Sequence, residues 1–258
     1  MKKLKIEYKR FLFFQKTKEL DVPEKWHELN GEQFSVCSDI YLNSIADFDF
    51  VSRFFGIPRR ITRQFSKFEL YKLTDLCTFA ARPNGSVNFF YMQVIPGTGL
   101  IAPKPKFRDI DFERFALFDT YFFMYVRDQK EEDLCRFIAA LYLKNDESVT
   151  DIDFEKRVKY IKKHVDEATR NAIFMNYIFI HKWLEKPFPF LFESKSTDDK
   201  ESTKRGVVKK PPSTLPDWTG ILDAFVGDDI LNYDHYKNTN CILMFKRINA
   251  RIKNHQTK

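Results

Sequence analysis

The stretch DVPEKWHELNGEQFSVCSDIYL, Asp21 to Leu42, decides the fold because it reads as an ordered entry into a helix. Asn30 is a good N-cap, and Gln33 three residues later completes a capping box. In such a box each side chain satisfies a backbone N–H that the first helical turn leaves without a partner. Leu29 precedes the cap and Phe34 takes the fourth helical position, so the two form a hydrophobic staple that fixes the entry angle. The spacing predicts a helix from about Gly31 to Ser44, with Phe34, Cys37 and Tyr41 on one stripe and Val36 and Ile40 beside it. Trp26, at the head of the cassette, and Trp218, far along the chain, each follow a proline and an acid. Both read, with Leu29 and Phe34, as buried structural anchors, since large aromatic rings mostly serve the core.

Working outward, the composition agrees with a helical protein. A chain of 258 residues with only 8 glycines, but 28 Phe and 11 Tyr, lacks the turn-formers of an all-β protein and must bury many rings against helices. The net charge of +7 is a modest excess, 43 basic against 36 acidic residues. The basic residues concentrate at the N-terminus, in Arg59-Arg60-Ile61-Thr62-Arg63, between Lys204 and Lys210, and in the last fifteen positions. Cys37, Cys77, Cys135 and Cys241 each sit in an apolar helical pattern with no CxxC spacing, and read as small hydrophobes in a reducing compartment. Glu7, Lys9 and Arg10 break any apolar run that could act as a leader, and no stretch reaches membrane-spanning length. The expectation is an intracellular protein.

The remaining elements follow from period and punctuation. Lys3 to Phe14 alternates and then turns apolar, as a strand or extended arm would. Phe48 to Phe55 reads as a short helix closed by Gly56 and Pro58, and Ser66 with Glu69 as a second capping box opening a helix to about Ala81. Val87 to Ile95, the turn Pro96-Gly97-Thr98-Gly99, and Leu100 to Pro103 predict a small hairpin that could recruit the N-terminal segment as a third strand. Asp111 should cap a helix carrying Phe115, Phe118, Phe122 and Tyr125. Asp128 with Glu131 should form a third box, ahead of Leu134, Phe137, Ile138 and Leu141, giving an antiparallel helix pair. A basic amphipathic helix from Phe154 and a longer apolar one from Glu167 to Glu185 follow, stopped by Pro187 and Pro189.

The expected fold is therefore mainly α: a multi-helix bundle with a small β-hairpin at about 87–103 inserted between helices, forming one main domain over 1–193. Residues 194–216 are rich in Ser, Thr, Lys, Asp and Pro and predict a flexible charged linker. Residues 217–258 predict a C-terminal helical pair docked on the main domain. Asp217 would cap the first helix. Asp234 or His235 would start the last, with Ile242, Phe245, Ile248 and Ile252 inward.

No motif announces chemistry. The five histidines are scattered, and there is no HExxH, GxSxG, P-loop or dinucleotide fingerprint. Gly97-Thr98-Gly99 lacks the third glycine and the following helix of a phosphate loop. The acid pairs Asp198-Asp199, Asp228-Asp229 and the run Glu131-Glu132-Asp133 have ordinary structural readings, the last as a helix first turn that meets the helix dipole. The reading assigns no catalytic residue, metal or cofactor, although an active site assembled from distant residues would leave no such motif. If the basic segments act at all, Arg59, Arg60, Arg63, Lys204, Arg205, Lys209 and Lys210 are the candidates to meet nucleic-acid phosphates.

Three ordered segments resemble helical tail-module proteins of phages and prophages of gut-type bacteria. They are Pro23-x-x-Trp26-x-Glu28-Leu29-x-x-x-Gln33-Phe34; Phe112-Glu113-Arg114-Phe115-x-x-x-Asp119-x-Tyr121 with Ile138-Ala139-Ala140-Leu141-Tyr142-Leu143 after it; and Trp218-Thr219-Gly220-Ile221 before a last helix. The chain departs from that pattern at Lys104-Pro105-Lys106, where a Tyr-Gly-Pro turn is expected, and in its long Lys-rich linker. The resemblance implies a non-enzymatic role in tail assembly. The chain would act as a chaperone or minor structural component that binds other tail or assembly proteins, such as the tape-measure protein. The implied location is the host cytoplasm or the particle. Nucleic-acid binding is the alternative, and an enzyme without a recognisable motif the third.

Overall fold

The computed structural model describes residues 2–11, 14–43, 47–81, 85–192 and 215–256. The chain is mainly helical, as its composition predicts. It divides into two compact units, Met1–Gly85 and Ser86–Lys258, so the single body expected over 1–193 is interrupted between Gly85 and Ser86. Each unit has its own buried aromatic core. Most of the linker expected at 194–216 lies outside the described residues.

The N-terminal unit opens with an antiparallel hairpin, β1 (Lys2–Phe11) and β2 (Phe14–Val22). Lys2, Leu4, Ile6 and Tyr8 lie opposite Val22, Leu20, Lys18 and Lys16. Directly opposed residues share a face, so these eight line one side of the sheet. Lys3, Lys5 and Glu7, opposite Asp21, Glu19 and Thr17, line the other, as does Lys9. The N-terminal segment thus pairs with 14–22 and is not the third strand of a hairpin near residue 95.

The entry cassette forms as its residues dictate. The N–H of Gln33 donates to Asn30 Oδ1 at 2.8 Å and the N–H of Asn30 to Gln33 Oε1 at 3.1 Å, opening α1 (Gly31–Asn43). Leu29 and Phe34 are buried, and Trp26 meets Phe34 and Phe79 edge-on at 5.9 and 5.7 Å between centroids. Then come α2 (Asp47–Phe54), α3 (Arg59–Thr62) and α4 (Lys67–Asp75). An ion pair between Arg53 on α2 and the buried Asp39 on α1, at 2.7 Å, ties the first two together. The Ser66–Glu69 capping box opens α4 as expected. The helix stops at Asp75, short of Ala81, and a separate 3-10 turn covers Thr78–Ala81.

In the second unit the expected small antiparallel hairpin forms around the Val94 to Ile101 bridge, with Ile95 N–H donating to the Leu100 carbonyl and Ala102 N–H to the Gln93 carbonyl, both at 2.9 Å, and a turn held by Thr98, whose hydroxyl donates to the Ile95 carbonyl at 2.8 Å. Ile101 also bridges Leu143, which occupies the third-strand position. The helices are α5 (Phe112–Asp128), α6 (Glu131–Leu141), α7 (Phe154–His164), α8 (Glu167–Glu185), α9 (Pro189–Phe192), α10 (Trp218–Val226), α11 (Tyr233–Lys237) and α12 (Cys241–Gln256). Asp111, Asp153, Asp166 and Asp217 cap α5, α7, α8 and α10 through their carboxylates. Arg114, at the start of α5, donates to the carbonyls of Ala140 and Leu141 at the end of α6, so this pair is antiparallel.

The capping box expected at Asp128–Glu131 does not form. α5 runs on to Asp128, Gln129 turns the chain with φ of 54°, and Lys130 begins α6 without a side-chain cap. Asp128 pairs with Arg127 and Lys130 instead. The last helix begins later than Asp234 or His235 predicted, because Asn240 breaks the run. Its side-chain oxygen accepts from Ile242 N–H, while its amide donates to the carbonyls of Phe107 and Ile110. Within this unit the C-terminal helices are packed in place: Phe112 N–H donates to the Thr239 carbonyl and Cys241 N–H to the Ile110 carbonyl, both at 2.9 Å. Phe245 of α12 stacks edge-on against Phe115 at 4.7 Å.

Candidate functional site

Among the described residues, each unit holds a polar cluster that could serve as a site. In the second unit Asp119, on the buried side of α5, has no exposed surface. Its carboxyl accepts the Tyr177 hydroxyl of α8 at 2.6 Å and the Trp218 indole N–H of α10 at 2.8 Å. His181, one turn beyond Tyr177, places Nε2 3.8 Å from the same carboxyl. Phe122, Phe123 and Phe192 surround the imidazole at 5.3 to 6.2 Å between centroids. Burial pushes Asp119 up to about 7 against two donors that favour its charge, and pushes His181 down to about 4. The arrangement pins three helices together at one sealed polar point. Trp218 is therefore an anchor with a hydrogen bond as well as a packed ring.

The site open to solvent is in the first unit. A cleft of about 390 Å³ lies between the hairpin and the segment joining α2 to α3. Its walls are Tyr8, Lys9, Lys16 and Lys18 from the hairpin, and Gly56, Ile57, Pro58, Arg60, Ile61 and Gln64 opposite. Local sequence explains each wall. Gly56 takes φ of +57°, a left-handed conformation that suits glycine at the close of a helix. Ser52 then fixes the turn, its hydroxyl donating to the Ile57 carbonyl at 2.7 Å. Across the cleft, Lys18 Nζ donates to the Gly56 carbonyl at 2.7 Å, using one of its three hydrogens. Gln64 closes one end by copying a strand: its amide accepts from Lys9 N–H at 3.3 Å and donates to the Lys9 carbonyl at 3.1 Å.

The electrostatics of the cleft come from strand alternation. The hairpin's acids, Glu7, Glu19 and Asp21, all fall on the outer face, where Glu19 pairs with Lys3 and Lys5 at 3.9 and 3.4 Å. The inner face carries Lys16 and Lys18 and no carboxylate. Lys16 and Lys18 from the inner face and Arg60 opposite therefore line a cleft with no acid in its walls, which Lys9, an outer-face residue, borders where its backbone meets Gln64. Lys16 and Arg60 have no carboxylate partner among the described residues, and a low-dielectric concavity focuses such a field outward.

Of the residues singled out from sequence, Trp26, Leu29 and Phe34 meet in the first core and Trp218 in the second. Arg59, Arg60 and Arg63 are exposed on or just after α3. Arg59 is bound to Asp49 at 2.8 Å, and Arg60 alone of the three reaches the cleft. Lys204, Arg205, Lys209 and Lys210 lie outside the described residues. Sequence reasoning missed Tyr8, Lys16, Lys18 and Gln64. The signal for the lysines was present, since Lys16-x-Lys18-x-Leu20-x-Val22 has a strand's period of two.

All four cysteines are buried and unbridged, and burial raises the Cys77 thiol to about 12. Among the described residues no cluster of three His, Cys, Asp or Glu is placed to hold a metal, and no helix is long and apolar enough to cross a membrane. The chain is thus a mainly helical protein in two units whose open site is a cationic cleft beside a β-hairpin. No protein-family model, curated protein or solved structure matches it.

Proposed function

We propose that this chain works by binding, without chemistry of its own, and that its N-terminal unit binds nucleic acid in the cationic cleft. One observation carries the reading: Lys16, Lys18 and Arg60 converge on a cleft with no carboxylate in its walls, on a hairpin that places every acid on its other face. A polyanion gains from all of these charges at once, whereas an isolated surface lysine offers one contact. Binding of a short labelled oligonucleotide should weaken as salt rises. For a single strand the slope of log K against log salt should be about −0.7 for each phosphate neutralised. Lys16→Gln and Arg60→Gln should each flatten that slope by about 0.7. Undetectable binding at low salt would remove the proposal.

A second reading is favoured by a different observation. Phe68 and Tyr71 stand on α4 with 64% of each side chain exposed, three residues apart and hence on one face. Together with the ordered resemblance to tail-module proteins, they support a docking contact with a tail or assembly protein, of the tape-measure kind. Co-expression with the proteins encoded beside it, followed by affinity capture, tests this. Capture that survives Lys16→Gln but is lost with Phe68→Ser would support the second reading over the first, and recovery of the chain alone would remove it.

A further inference from the structure

We infer that the cleft takes a single nucleic-acid strand, with one base stacked on Tyr8 and the neighbouring phosphates held by Lys16, Lys18 and Arg60. The inference rests on the nucleic-acid reading and narrows it. Tyr8 is the one aromatic side chain in the cleft walls, on the same inner face as both lysines. Lys16 is its direct cross-strand neighbour, with the backbones about 5.5 Å apart or less, so the two side chains leave the same face side by side. The ring is half-buried and packs on no other aromatic among the described residues. That combination, a partly exposed, unstacked ring in a cleft with lysines and an arginine, is what strand binders without sequence preference use: cations track the backbone and the ring takes whichever base comes.

Shape excludes the duplex as the fitting ligand. Readers of double-stranded DNA insert a helix or a two-stranded ribbon into a groove about 12 Å wide, which requires a protruding element. Here the cations line a hollow, and the helix beside it, α3, has four residues and is about 6 Å long. A duplex also keeps its bases paired inside the stack, so reaching Tyr8 would require extruding one. A single strand meets neither obstacle. The hollow of about 390 Å³ falls in the size range of small-ligand pockets, enough for a nucleotide but not for a helix. Lys18 and Gln64 set the orientation. The first is fixed to the Gly56 carbonyl and still has two hydrogens to donate; the second is spent on the Lys9 backbone and closes the end.

The test uses the intact chain and fluorescence anisotropy, with a labelled oligothymidylate, a hairpin duplex of the same length, and polyglutamate as competitor. The single strand should bind at least about tenfold tighter than the duplex. Tyr8→Leu should lose about tenfold for the single strand with its salt slope unchanged, while Tyr8→Phe, which keeps the ring, should bind as the parent does. The strand-against-duplex comparison needs no variant, so misfolding of Tyr8→Leu leaves the inference open to refutation. Equal affinity for strand and duplex overturns it while leaving nucleic-acid binding standing. Loss of affinity in Tyr8→Phe equal to that in Tyr8→Leu overturns the stacking role. Displacement of the oligonucleotide by polyglutamate at equal charge concentration would reassign the cleft to acidic peptides. Binding of neither nucleic acid overturns the broader reading as well.

Discussion

Replacing His181 with glutamine should make stability fall as pH rises, and replacing Asp119 with asparagine should make it fall as pH drops, although the two side chains lie 3.8 Å apart. In the folded protein burial lifts Asp119 from 3.8 to about 7 and lowers His181 from 6.5 to about 4. Between about pH 4 and 6.5 the folded pair therefore holds one proton, on Asp119. The unfolded pair also holds one, on His181. Folding neither takes up nor releases a proton there, so the pair contributes almost no slope to stability against pH.

Removing either partner exposes the other. In Asp119→Asn, His181 is neutral when folded and protonated when unfolded below pH 6.5. The unfolded state then binds more protons, and stability is lost as pH falls toward 4, on the order of 3 kcal/mol in total. In His181→Gln, folded Asp119 keeps a proton that the unfolded chain has released. The stabilisation is fully present below about pH 4 and is lost as pH rises through 7, on the order of 4 kcal/mol. Urea unfolding followed by tryptophan emission, with Trp183 and Trp218 both in this unit, reads the effect at several pH values. Other groups cancel when each variant is compared with the parent. Variant slopes that both match the parent, or share one sign, would refute the reasoning and mean that Asp119 stays ionised on its two donors.

Three further outcomes follow from packing and backbone geometry. Trp26→Ala and Trp218→Ala should each cost about 3 to 5 kcal/mol in their own unit, measured by chemical denaturation; unchanged midpoints would mean the rings are not anchors. Gly220→Ala should cost about 1 kcal/mol, because a Cβ there would sit 2.2 Å from Asp217 Oδ2 and push aside the carboxylate that caps α10; an unchanged melting temperature would show the cap to be dispensable. Lys106 holds φ of 61°, left-handed for a side chain, so Lys106→Gly should stabilise by about 0.5 to 1 kcal/mol, and a loss would mean that its side chain makes a compensating contact.

The parts of the fold that were legible in sequence are those set by local rules. The Asn30–Gln33 and Ser66–Glu69 boxes and the caps at Asp111 and Asp217 depend on side chains reaching backbone three residues away, and they form. The Asp128–Glu131 box met the same spacing and failed, because α5 continued through Asp128 and Arg127 and Lys130 took its carboxylate. Partners distant in the chain were not legible. Nothing near Asp119 announces that Tyr177 and Trp218, 58 and 99 residues away, will complete its hydrogen bonds. The strand pairing went the same way: the apolar run after Val87 looked like the main hairpin, while the register of Tyr8 on Lys16 depended on the pairing of two strands of which only the first was recognised. The cleft inherits that gap, since Arg60 was visible as part of a basic run and the lysines facing it were not.

Hydrogen–deuterium exchange of the intact chain with and without a saturating single-stranded oligonucleotide tests the central claim most directly, because it locates the ligand as well as detecting it. The account predicts slower exchange in β1, β2 and residues 56–64, with no change in Asp119 and its neighbours on α5 and α8. Protection confined to residues 86–258, or none at a concentration where the oligonucleotide binds, would contradict it.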